Sequence, residues 1–440
     1  MLNIKDDSRK IKKGDTFIAL KKVHDGHDFI NDAIKNGASK IIVEHGTYDI
    51  DTLIVDDTHA YLVNYLKENY HEKIKNLKLI GMTGTNGKTT TCFLLYQALN
   101  LAGIKTAYIG TIGFYLDNKI SDLNNTTPDI LEIYELLLKC VEENVEYVVM
   151  EASSQALAMN RLDGLEFDIG IFSNLTQDHL DYHKTMENYV LSKQKLFDKV
   201  KYKTLVNIDD PYKDYFIKKN SITYGFDKSD YMINDYKIGL FESELIVNNI
   251  GYKTSLIGKH NLYNVLVVIA LLNELNIKNV PDIISKLTPP MGRMEKIIKD
   301  DNLIIVDYAH TPDAVEKIIT SVKELNPNNI MTIIGCGGNR DKTKRPIMGC
   351  ISVINSDYVI FTSDNPRDED PLAIINDMIQ DIDKNNYEII ENRKKAIIKG
   401  IQKLTKNDIL LVLGKGHENY QIIKGNKYDF SDKDIILQNL

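Results

Sequence analysis

The residues with the clearest chemistry lie in a glycine-rich segment in the first quarter of the chain. An apolar run from Leu77 ends in Thr83-Gly84-Thr85-Asn86-Gly87-Lys88-Thr89, and helical periodicity follows from Thr89 to Ala102. Glycines let backbone N–H groups approach phosphate oxygens, and a helix N-terminus adds the positive end of its dipole. Lys88 supplies a point charge, and the Thr89 hydroxyl can hold Mg²⁺. The segment predicts a nucleotide phosphate site, with an ordinary turn as the alternative.

Further polar side chains follow later strands of the same block. Glu151 comes directly after the apolar run Tyr147–Met150, where a carboxylate can hold the Mg²⁺ that bridges nucleotide phosphates. The alternative is a solvated helix cap formed by Glu151 or Ser153. After the run Asp168–Phe172, His179 is a candidate for a metal or phosphate role, and the alternative is a helix start capped by Asp178.

The last third of the chain repeats this arrangement of polar residues after apolar runs. The polar segments begin at Asp307, Gly335, Ser363 and Gly414. In open α/β sheets ligands gather at the carboxyl ends of strands. Two of the segments carry Arg340 and Arg367, which can each clamp a carboxylate or phosphate through two parallel N–H donors, although an isolated arginine is often a surface residue. Together they predict a site for an anionic ligand.

The elements that must position these residues form three blocks. At 440 residues the chain is expected to hold about three domains of ~150 residues. Continuous apolar strands alternate with helices, which predicts α/β architecture with parallel sheets. We expect a small N-terminal α/β domain at 1–76, a central nucleotide-binding domain at 77–288 and a C-terminal Rossmann-like domain at 289–440. Pro289 and Pro290 mark the hinge before the last domain.

The individual elements follow from these patterns. Strands are predicted at Thr16–Leu20, Lys40–Val43, Thr106–Ile109, Tyr147–Met150, Asp168–Phe172, Thr204–Asn207, Asn302–Val306, Ile330–Ile334, Tyr358–Phe361 and Ile409–Leu413, and helices at Asp28–Asn36 and Ile130–Glu143.

Composition restricts the class of protein. Lys+Arg 54 against Asp+Glu 62 gives a net charge of −8, which does not indicate a nucleic-acid partner. The four cysteines lack metal-type spacing, and we expect reduced thiols and a cytoplasmic protein. No run of about 18 apolar residues and no N-terminal signal segment is present, so neither secretion nor a membrane span is expected.

These motifs together resemble the Mur ligase family, and within it the MurE type, which adds the third amino acid to the peptidoglycan precursor UDP-N-acetylmuramoyl-L-alanyl-D-glutamate. The resemblance covers nearly the whole chain. It is carried by Asp7-Ser8-Arg9, Thr83 to Thr90, Asn125-Thr126-Thr127-Pro128, Met150 to Ser154, Asn174-Leu175 with Asp178 to His183, Gly292 to Glu295, Asp307 to His310, Asp364-Asn365-Pro366-Arg367 and Gly414 to Glu418.

The resemblance implies roles for individual residues. The loop Thr83, Gly84, Thr85, Asn86, Gly87, Lys88 and Thr89, with His310 nearby, would bind ATP. Ser8 would contact the uridine nucleotide, and Asn125, Thr126, Thr127, Ser153 and Arg161 the muramoyl-dipeptide. Glu151, His179, Thr89 and Lys193 as a carbamate would hold Mg²⁺, with Lys88, Glu151, His179 and Lys193 catalytic. Arg340, Asp364, Asn365, Pro366, Arg367, Gly414 and Glu418 would receive the incoming amino acid.

The resemblance also implies the acceptor amino acid. Members with Asp-Asn-Pro-Arg at this position resemble users of meso-diaminopimelate. Arg367 can pair with the distal carboxylate of that amino acid while Glu418 meets its distal ammonium. The expected reaction is ATP-dependent amide formation through an acyl phosphate, by a monomer that acts on small molecules. The alternatives are a lysine-adding sister enzyme, a folylpolyglutamate-synthase-like ligase, and a nucleotide switch of the P-loop class.

Overall fold

The computed structural model describes residues 2–22, 24–239 and 242–440. Met1 and Val23 of the predicted N-terminal domain, and Leu240 and Phe241 of the predicted central domain, lie outside the described residues.

The first part of the chain alternates short strands and helices. Its elements are β1 (Ile4–Lys5), β2 (Thr16–Ile18), α1 (Ile30–Lys35), β3 (Lys40–Val43), β4 (Asp51–Ile54) and α2 (Thr58–Ile74). The next elements are β5 (Lys78–Thr83), α3 (Lys88–Leu101), β6 (Thr106–Gly110), β7 (Gly113–Tyr115), β8 (Lys119–Ser121), α4 (Ile130–Glu142), β9 (Tyr147–Glu151), α5 (Ser154–Ala158), β10 (Phe167–Phe172), α6 (Leu180–His183), α7 (Met186–Phe197) and β11 (Val200–Asn207).

The second half contains a β-rich segment and then a regular α/β alternation. The β-rich segment and the helices after it are β12 (Ser221–Gly225), β13 (Tyr231–Ile238), β14 (Ser243–Val247), β15 (Ile250–Thr254), α8 (Lys259–Glu274) and α9 (Val280–Ser285). The last elements are β16 (Glu295–Lys299), β17 (Asn302–Asp307), α10 (Pro312–Lys323), β18 (Ile330–Ile334), α11 (Lys344–Asn355), β19 (Tyr358–Phe361), α12 (Pro371–Ile379), β20 (Tyr387–Ile389), α13 (Arg393–Lys403), β21 (Ile409–Leu413), β22 (Tyr420–Ile423), β23 (Asn426–Asp429) and α14 (Asp432–Gln438).

The chain folds into two compact units that are interleaved along the sequence. The first unit consists of Met1–Thr83, Gly103–Ile171 and Tyr189–Thr204. The second unit consists of Gly84–Ala102, Phe172–Asn188 and Leu205–Leu440. The boundaries at 76 and 288 remain a prediction.

The first unit contains a four-stranded parallel sheet and part of a larger sheet. The small sheet has the order β1-β2-β3-β4, and its core includes Phe17, Ile30 and Ile41. In the larger sheet, β5, β9 and β6 pair in parallel, and β7 and β8 continue the sheet antiparallel. Every residue of β9 is buried, as expected for a parallel strand covered on both faces.

The second unit contains a six-stranded sheet with helices on both faces. Its order is β16-β17-β21-β18-β19-β20, and all pairs except β16–β17 are parallel. Alternate residues of β17 point to opposite faces. Leu303 and Ile305 belong to the core that includes helix α10, whereas Ile304 and Val306 belong to the core that includes helix α13. The predicted Rossmann-like architecture of this part is confirmed.

Sequence patterns located the buried strands well and the exposed ones poorly. The strands β18, β19 and β21 have the predicted bounds, whereas β11 begins at Val200 rather than Thr204. No strand was predicted over β12 to β15, where buried and exposed residues alternate in β14. Among the described residues, no helix is long and apolar enough to cross a membrane.

Candidate functional site

The predicted phosphate loop, Thr83 to Thr89, bends at Gly84 and Gly87, where a larger residue would clash with a neighbouring side chain. Gly84 has φ 149°, and a Cβ at this position would lie 2.0 Å from Ser173 Oγ. Gly87 has φ 87° and directly precedes α3, and its Cβ would lie 2.6 Å from Asn264 Oδ1. Any residue with a Cβ would therefore have a disfavoured backbone conformation at these two positions and would also lie too close to a neighbouring atom. The loop gains close backbone access at the helix N-terminus, as a phosphate site requires.

Hydrogen bonds hold the loop in this conformation. Lys88 Nζ donates to the backbone oxygens of Gly84 and Thr85, both at 2.9 Å, so the lysine folds back over the loop. Thr85 N donates to Asn174 O at 2.8 Å, and Asn86 N donates to Asn174 Oδ1 at 2.9 Å. Asn174 therefore supports the loop through both its backbone and its side chain.

Glu151 at the end of β9 is completely buried. Tyr108 Oη donates to Glu151 Oε1 at 2.5 Å, Thr111 N donates to the same oxygen at 2.9 Å, and Thr111 Oγ1 donates to Oε2 at 3.2 Å. The alternative of a solvated cap is wrong for Glu151. Ser153 does cap α5, because its Oγ accepts a hydrogen bond from Ala156 N at 3.3 Å.

His179 stands at the start of α6 in a left-handed conformation, with φ 54°. Its Nε2 lies 3.4 Å from Asp178 Oδ2, and its backbone N donates to Asp178 Oδ1 at 2.8 Å. The alternative of a helix start capped by Asp178 is wrong, because α6 has His179 as its N-cap without a side-chain cap. Burial would raise the pKa of Asp178, but the charge of His179 and the hydrogen bond from the His179 backbone N–H oppose it, and the pKa is lowered.

The donors predicted for Mg²⁺ have the chemistry that this ion prefers. Glu151 offers carboxylate oxygens and Thr89 a hydroxyl oxygen, which are hard ligands. Lys193 on α7 is buried, with its Nζ 4.4 Å from the ring centroid of Tyr189. As an ammonium it would repel a cation, whereas a carbamate would add oxygens. Among the described residues, no group of three or more His, Cys, Asp or Glu side chains could hold a metal ion.

The residues predicted to contact the muramoyl-dipeptide converge around Thr127. Thr127 Oγ1 donates to Glu151 O at 2.7 Å and accepts from Ser153 N at 3.0 Å. Arg161 Nη1 donates to Thr127 O at 3.0 Å. Thr126 Oγ1 lies 3.0 Å from the Thr111 hydroxyl. Thus Thr126, Thr127, Ser153 and Arg161 share one network.

Two other predicted substrate residues lie outside that network. Asn125 is exposed in the same loop. Ser8 is buried in a short 3-10 helix over Ser8–Lys10, and its backbone oxygen accepts a hydrogen bond from Asn36 Nδ2 at 2.9 Å. Asp7 begins this 3-10 helix, because its side chain accepts from Arg9 N. The segment Asp7-Ser8-Arg9 is therefore locally ordered.

The residues predicted to receive the amino acid meet at the carboxyl edge of the six-stranded sheet. Asn365 Nδ2 donates to Glu418 Oε2 at 2.7 Å, and Asn365 Oδ1 accepts from Ile422 N at 2.9 Å. Lys415 Nζ donates to Glu418 Oε2 at 3.0 Å and to Asn365 Oδ1 at 3.1 Å. Lys415 is fully buried, and the sequence did not predict it as part of this cluster, although it lies between Gly414 and Glu418.

Arg367 is half-buried beside this network in a left-handed conformation, with φ 52°. Its Nη1 donates to Gly338 O at 2.8 Å, and its backbone N donates to Ile422 O at 3.0 Å. The guanidinium is thereby oriented by the loop after β18. Arg340 lies on that loop and is exposed.

Asp364, Gly414 and Pro366 complete the predicted acceptor set. Asp364 is buried, and its Oδ1 accepts from Asn365 N at 2.6 Å. A Cβ on Gly414 would lie 2.5 Å from Asp364 Oδ2. A Cβ on Gly338 would lie 1.9 Å from Pro366 O. The backbones of these loops pack too closely for larger residues.

A buried arginine, missed in the sequence, ties two of these loops together. Arg345 on α11 donates to Glu369 through Nη1 at 3.0 Å and Nη2 at 2.9 Å, and to Asp377 at 2.8 Å. Glu369 Oε1 also accepts from Asn339 N at 2.6 Å. The Arg345 hydrogen bonds hold the pKa of Glu369 at about 2. Only its position after a glycine-rich segment could have indicated this role.

His310 lies in a cluster of aromatic and cationic side chains. Its ring centroid is 4.7 Å from that of Tyr308, and its Nδ1 lies 2.9 Å from Tyr308 O. The Arg293 guanidinium lies 4.7 Å from the Tyr308 ring centroid. Burial lowers the pKa of His310 to about 4, and the charge of Lys344 adds to this effect. His310 is therefore neutral at physiological pH.

The chain is similar in sequence to proteins of one known family. A family model described as "Mur ligase middle domain" matches residues 82–272, and one described as "Mur ligase, glutamate ligase domain" matches residues 292–416. A UDP-N-acetylmuramoyl-L-alanyl-D-glutamate–2,6-diaminopimelate ligase of Clostridium perfringens is 42% identical over 457 residues, which span 99% of this chain and 94% of the relative.

Solved structures extend the comparison to the fold. A structure of a UDP-N-acetylmuramoyl-L-alanyl-D-glutamate–2,6-diaminopimelate ligase matches with TM-score 0.69 and 32% identity, covering 99% of this chain and 94% of that one. The MurF ligase from Thermotoga maritima in complex with ADP matches with TM-score 0.70 and 19% identity, covering 100% of this chain and 96% of that one. At that identity the second match shows the fold alone.

Proposed function

This chain belongs to the Mur ligase family, and from that premise we propose that it joins meso-diaminopimelate to the D-glutamate of UDP-N-acetylmuramoyl-L-alanyl-D-glutamate. The reaction is ATP-dependent amide formation in the synthesis of peptidoglycan precursors. It takes place in the cytoplasm on small-molecule substrates, and the enzyme acts as a monomer.

One observation carries the choice of acceptor: Arg367 and Glu418 are oriented around the same residue, Asn365. Asn365 donates its side-chain N–H to Glu418, and Arg367 Nη1 lies 3.4 Å from Asn365 O. Diaminopimelate ends in a second amino-acid head with a carboxylate and an ammonium. Arg367 meets the carboxylate and Glu418 the ammonium, each with an opposite charge. Lysine lacks the distal carboxylate and would leave Arg367 without that partner.

The phosphate loop performs the activation of the D-glutamate side chain. The γ-carboxylate of the D-glutamate attacks the γ-phosphorus of ATP. The bond between this phosphorus and the oxygen that bridges the β- and γ-phosphates breaks, and ADP leaves with the electron pair. Lys88 and the N-terminus of α3 stabilise the negative charge on the transferring group. The diaminopimelate amine then attacks the acyl carbon, and phosphate leaves as the amide forms.

The Mg²⁺ ion would be held by oxygens of Thr89 and Glu151, with His179 and a carbamylated Lys193. When bound, it neutralises charge on the phosphates of ATP. Tyr108 and Thr111 keep the Glu151 carboxylate in one orientation through the three hydrogen bonds described above. A mass increase of 44 Da on Lys193 would test the carbamate; because carbamates are labile, native mass spectrometry at neutral pH is the method of choice.

The dipeptide end of the substrate is assigned to the Thr127 network, with Arg161 available to a substrate carboxylate and Ser153 to an amide. The uridine end is assigned to Ser8. Asn125, which is exposed beside Thr126, is available to the muramoyl group. In this assignment ATP contacts the loop from Thr83 to Thr89 and the region of His310.

One assay tests the proposal. ADP formation is measured with UDP-muramoyl-dipeptide plus meso-diaminopimelate, L-lysine or L-ornithine in parallel, with each substrate omitted in turn. We expect turnover only with the complete mixture that contains diaminopimelate. Turnover with lysine instead would assign the protein as the lysine-adding sister enzyme. ADP formation from ATP alone, without UDP-muramoyl-dipeptide or an amino acid, would indicate a nucleotide switch.

A further inference from the structure

Lys22 forms ion pairs with two carboxylates from distant parts of the first unit. Its Nζ lies 2.7 Å from Asp6 Oδ2 and 2.5 Å from Asp129 Oδ2. The Lys22 side chain is 34% exposed, Asp6 is 15% exposed and Asp129 is 30% exposed. These ion pairs are thus partly shielded from water. In such surroundings an ion pair is stronger than on an open surface.

The chain of charges continues from Asp129 into the Thr127 network. The other carboxylate oxygen of Asp129, Oδ1, lies 2.9 Å from Arg161 Nε, and Arg161 Nη1 donates to Thr127 O at 3.0 Å. Four charged side chains of alternating sign therefore run from Asp6 to Arg161. Replacing any member alters the charge that its neighbours experience.

The row of charged side chains from Asp6 to Arg161 begins and ends beside segments that are assigned to opposite ends of one substrate. Asp6 directly precedes Asp7-Ser8-Arg9, the segment assigned to the uridine nucleotide. Asp129 directly follows Asn125-Thr126-Thr127-Pro128, the loop assigned to the muramoyl-dipeptide. We propose that Lys22 is a positioning residue for UDP-muramoyl-dipeptide, which holds the nucleotide-binding segment and the dipeptide-binding loop at the spacing that the substrate requires. This inference rests on the proposed function.

Charge repulsion explains why a cation is needed at this position. Without Lys22, Asp6 and Asp129 would face each other as two carboxylates, and like charges at short range repel. The neighbouring helix α4 adds acidic groups, since Glu132 is half-buried there and Glu135 pairs with Lys5 at 2.5 Å. Burial would lower the pKa of Lys22, but the charges of Asp6 and Asp129 outweigh it and raise the pKa, so Lys22 stays charged at neutral pH.

The adjacent lysine provides a matched control. Lys21 is 58% exposed and pairs with Glu44. We compare Lys22→Met with Lys21→Met by steady-state kinetics, varying each substrate in turn. For Lys22→Met we expect KM for UDP-muramoyl-dipeptide to rise about tenfold, which corresponds to about 1.4 kcal/mol. We expect kcat and the KM values for ATP and diaminopimelate to stay within about twofold, and Lys21→Met to match the wild type.

Two further variants separate positioning from a general structural role. Lys22→Arg keeps the cation and should restore most of the substrate affinity. Asp129→Asn should raise the same KM. The rise in the double variant Lys22→Met/Asp129→Asn should be smaller than the sum of the two single effects, because each change removes the same ion pair between Lys22 and Asp129.

The outcomes that overturn the inference are distinct from a failure of the proposed function. A KM for UDP-muramoyl-dipeptide in Lys22→Met within twofold of wild type would overturn the inference. Equal rises in all three KM values together with a lower unfolding midpoint would also overturn it, since they indicate a general loss of structure. If instead the wild type itself does not form ADP with UDP-muramoyl-dipeptide and diaminopimelate, the proposed function fails; the contribution of Lys22 is then refuted along with it.

Discussion

Asn86 Nδ2 in the phosphate loop donates a 2.6 Å hydrogen bond to Asp313 Oδ2 in the first turn of helix α10. Asp313 Oδ2 also accepts from Lys317 Nζ at 2.9 Å. The loop that is assigned to ATP is thereby linked to the helix that follows His310. The link joins residues from both matched family models, at 82–272 and 292–416.

Removing this link should weaken ATP binding. Asp313→Ala deprives Asn86 of its acceptor, so the loop must be ordered again when the phosphates bind. Hydrogen bonds to charged groups contribute about 1.5–3 kcal/mol at most, and we expect about a fivefold rise in KM for ATP because Asp313 is partly exposed. Steady-state kinetics against ATP measure this effect. Glu316→Ala, an exposed neighbour on α10, is the control, and equal values for both variants would contradict the prediction.

Arg367 should determine the use of diaminopimelate. Its φ of 52° is tolerated by asparagine better than by alanine, so Arg367→Asn removes the guanidinium with less backbone strain. We expect a lower kcat/KM for diaminopimelate, corresponding to an activation free energy that is about 2–5 kcal/mol higher, because the distal carboxylate of diaminopimelate loses its charged partner. Arg340 is assigned to the same amino acid but is exposed to solvent, so Arg340→Ala should cost less than Arg367→Asn, about 1 kcal/mol or below. Undiminished activity of Arg367→Asn would show that the acceptor assignment is wrong.

Gly84→Ala should abolish ATP binding. A Cβ there would lie 2.0 Å from Ser173 Oγ, so the loop or the serine must move. Gly103→Ala is a control for backbone strain, because Gly103 also has positive φ, at 82°, but nothing lies within 4 Å of its Cβ position. We expect that control to lose only about 1 kcal/mol of folding stability. ATP titration by calorimetry distinguishes the two variants, and wild-type affinity in Gly84→Ala would be the contrary result.

The contribution of Glu369 to stability should depend on pH in the acid range. Hydrogen bonds from Arg345 lower its pKa from 4.5 in the unfolded chain to about 2 in the folded one. The unfolded state therefore binds more protons between these values, and the stabilisation is present above pH 4.5 and is lost as the pH falls toward 2. Urea unfolding of wild type and Glu369→Gln should show a difference that shrinks below pH 4.5. A difference that is the same at pH 3 and pH 6 would exclude this ion pair as its source.

The sequence by itself determined the family and the architecture, and it predicted most of the residues of the candidate site. Buried parallel strands are continuous apolar runs, so their ends could be located to within a few residues, and polar residues after them marked the carboxyl edge. The Gly-Lys-Thr segment was equally clear, because phosphate binding needs glycines at particular positions in the chain. The strands β12 to β15 were missed because half-exposed strands lack such runs.

Only the tertiary structure decided which partners orient those residues. The bidentate pair of Arg345 and Glu369 spans 24 residues, and the contact of Asn86 with Asp313 spans 227. Such pairs leave no periodic pattern, because a charge on a helix or loop has the same local appearance whether it is solvated or paired. Helical capping by Asp178, the alternative to a ligand role for His179, was a local interpretation, and it is wrong because the chain adopts a left-handed conformation at His179. The phosphate loop was therefore visible in the sequence, whereas the contacts that hold it, from Asn174 and Asp313, required the fold.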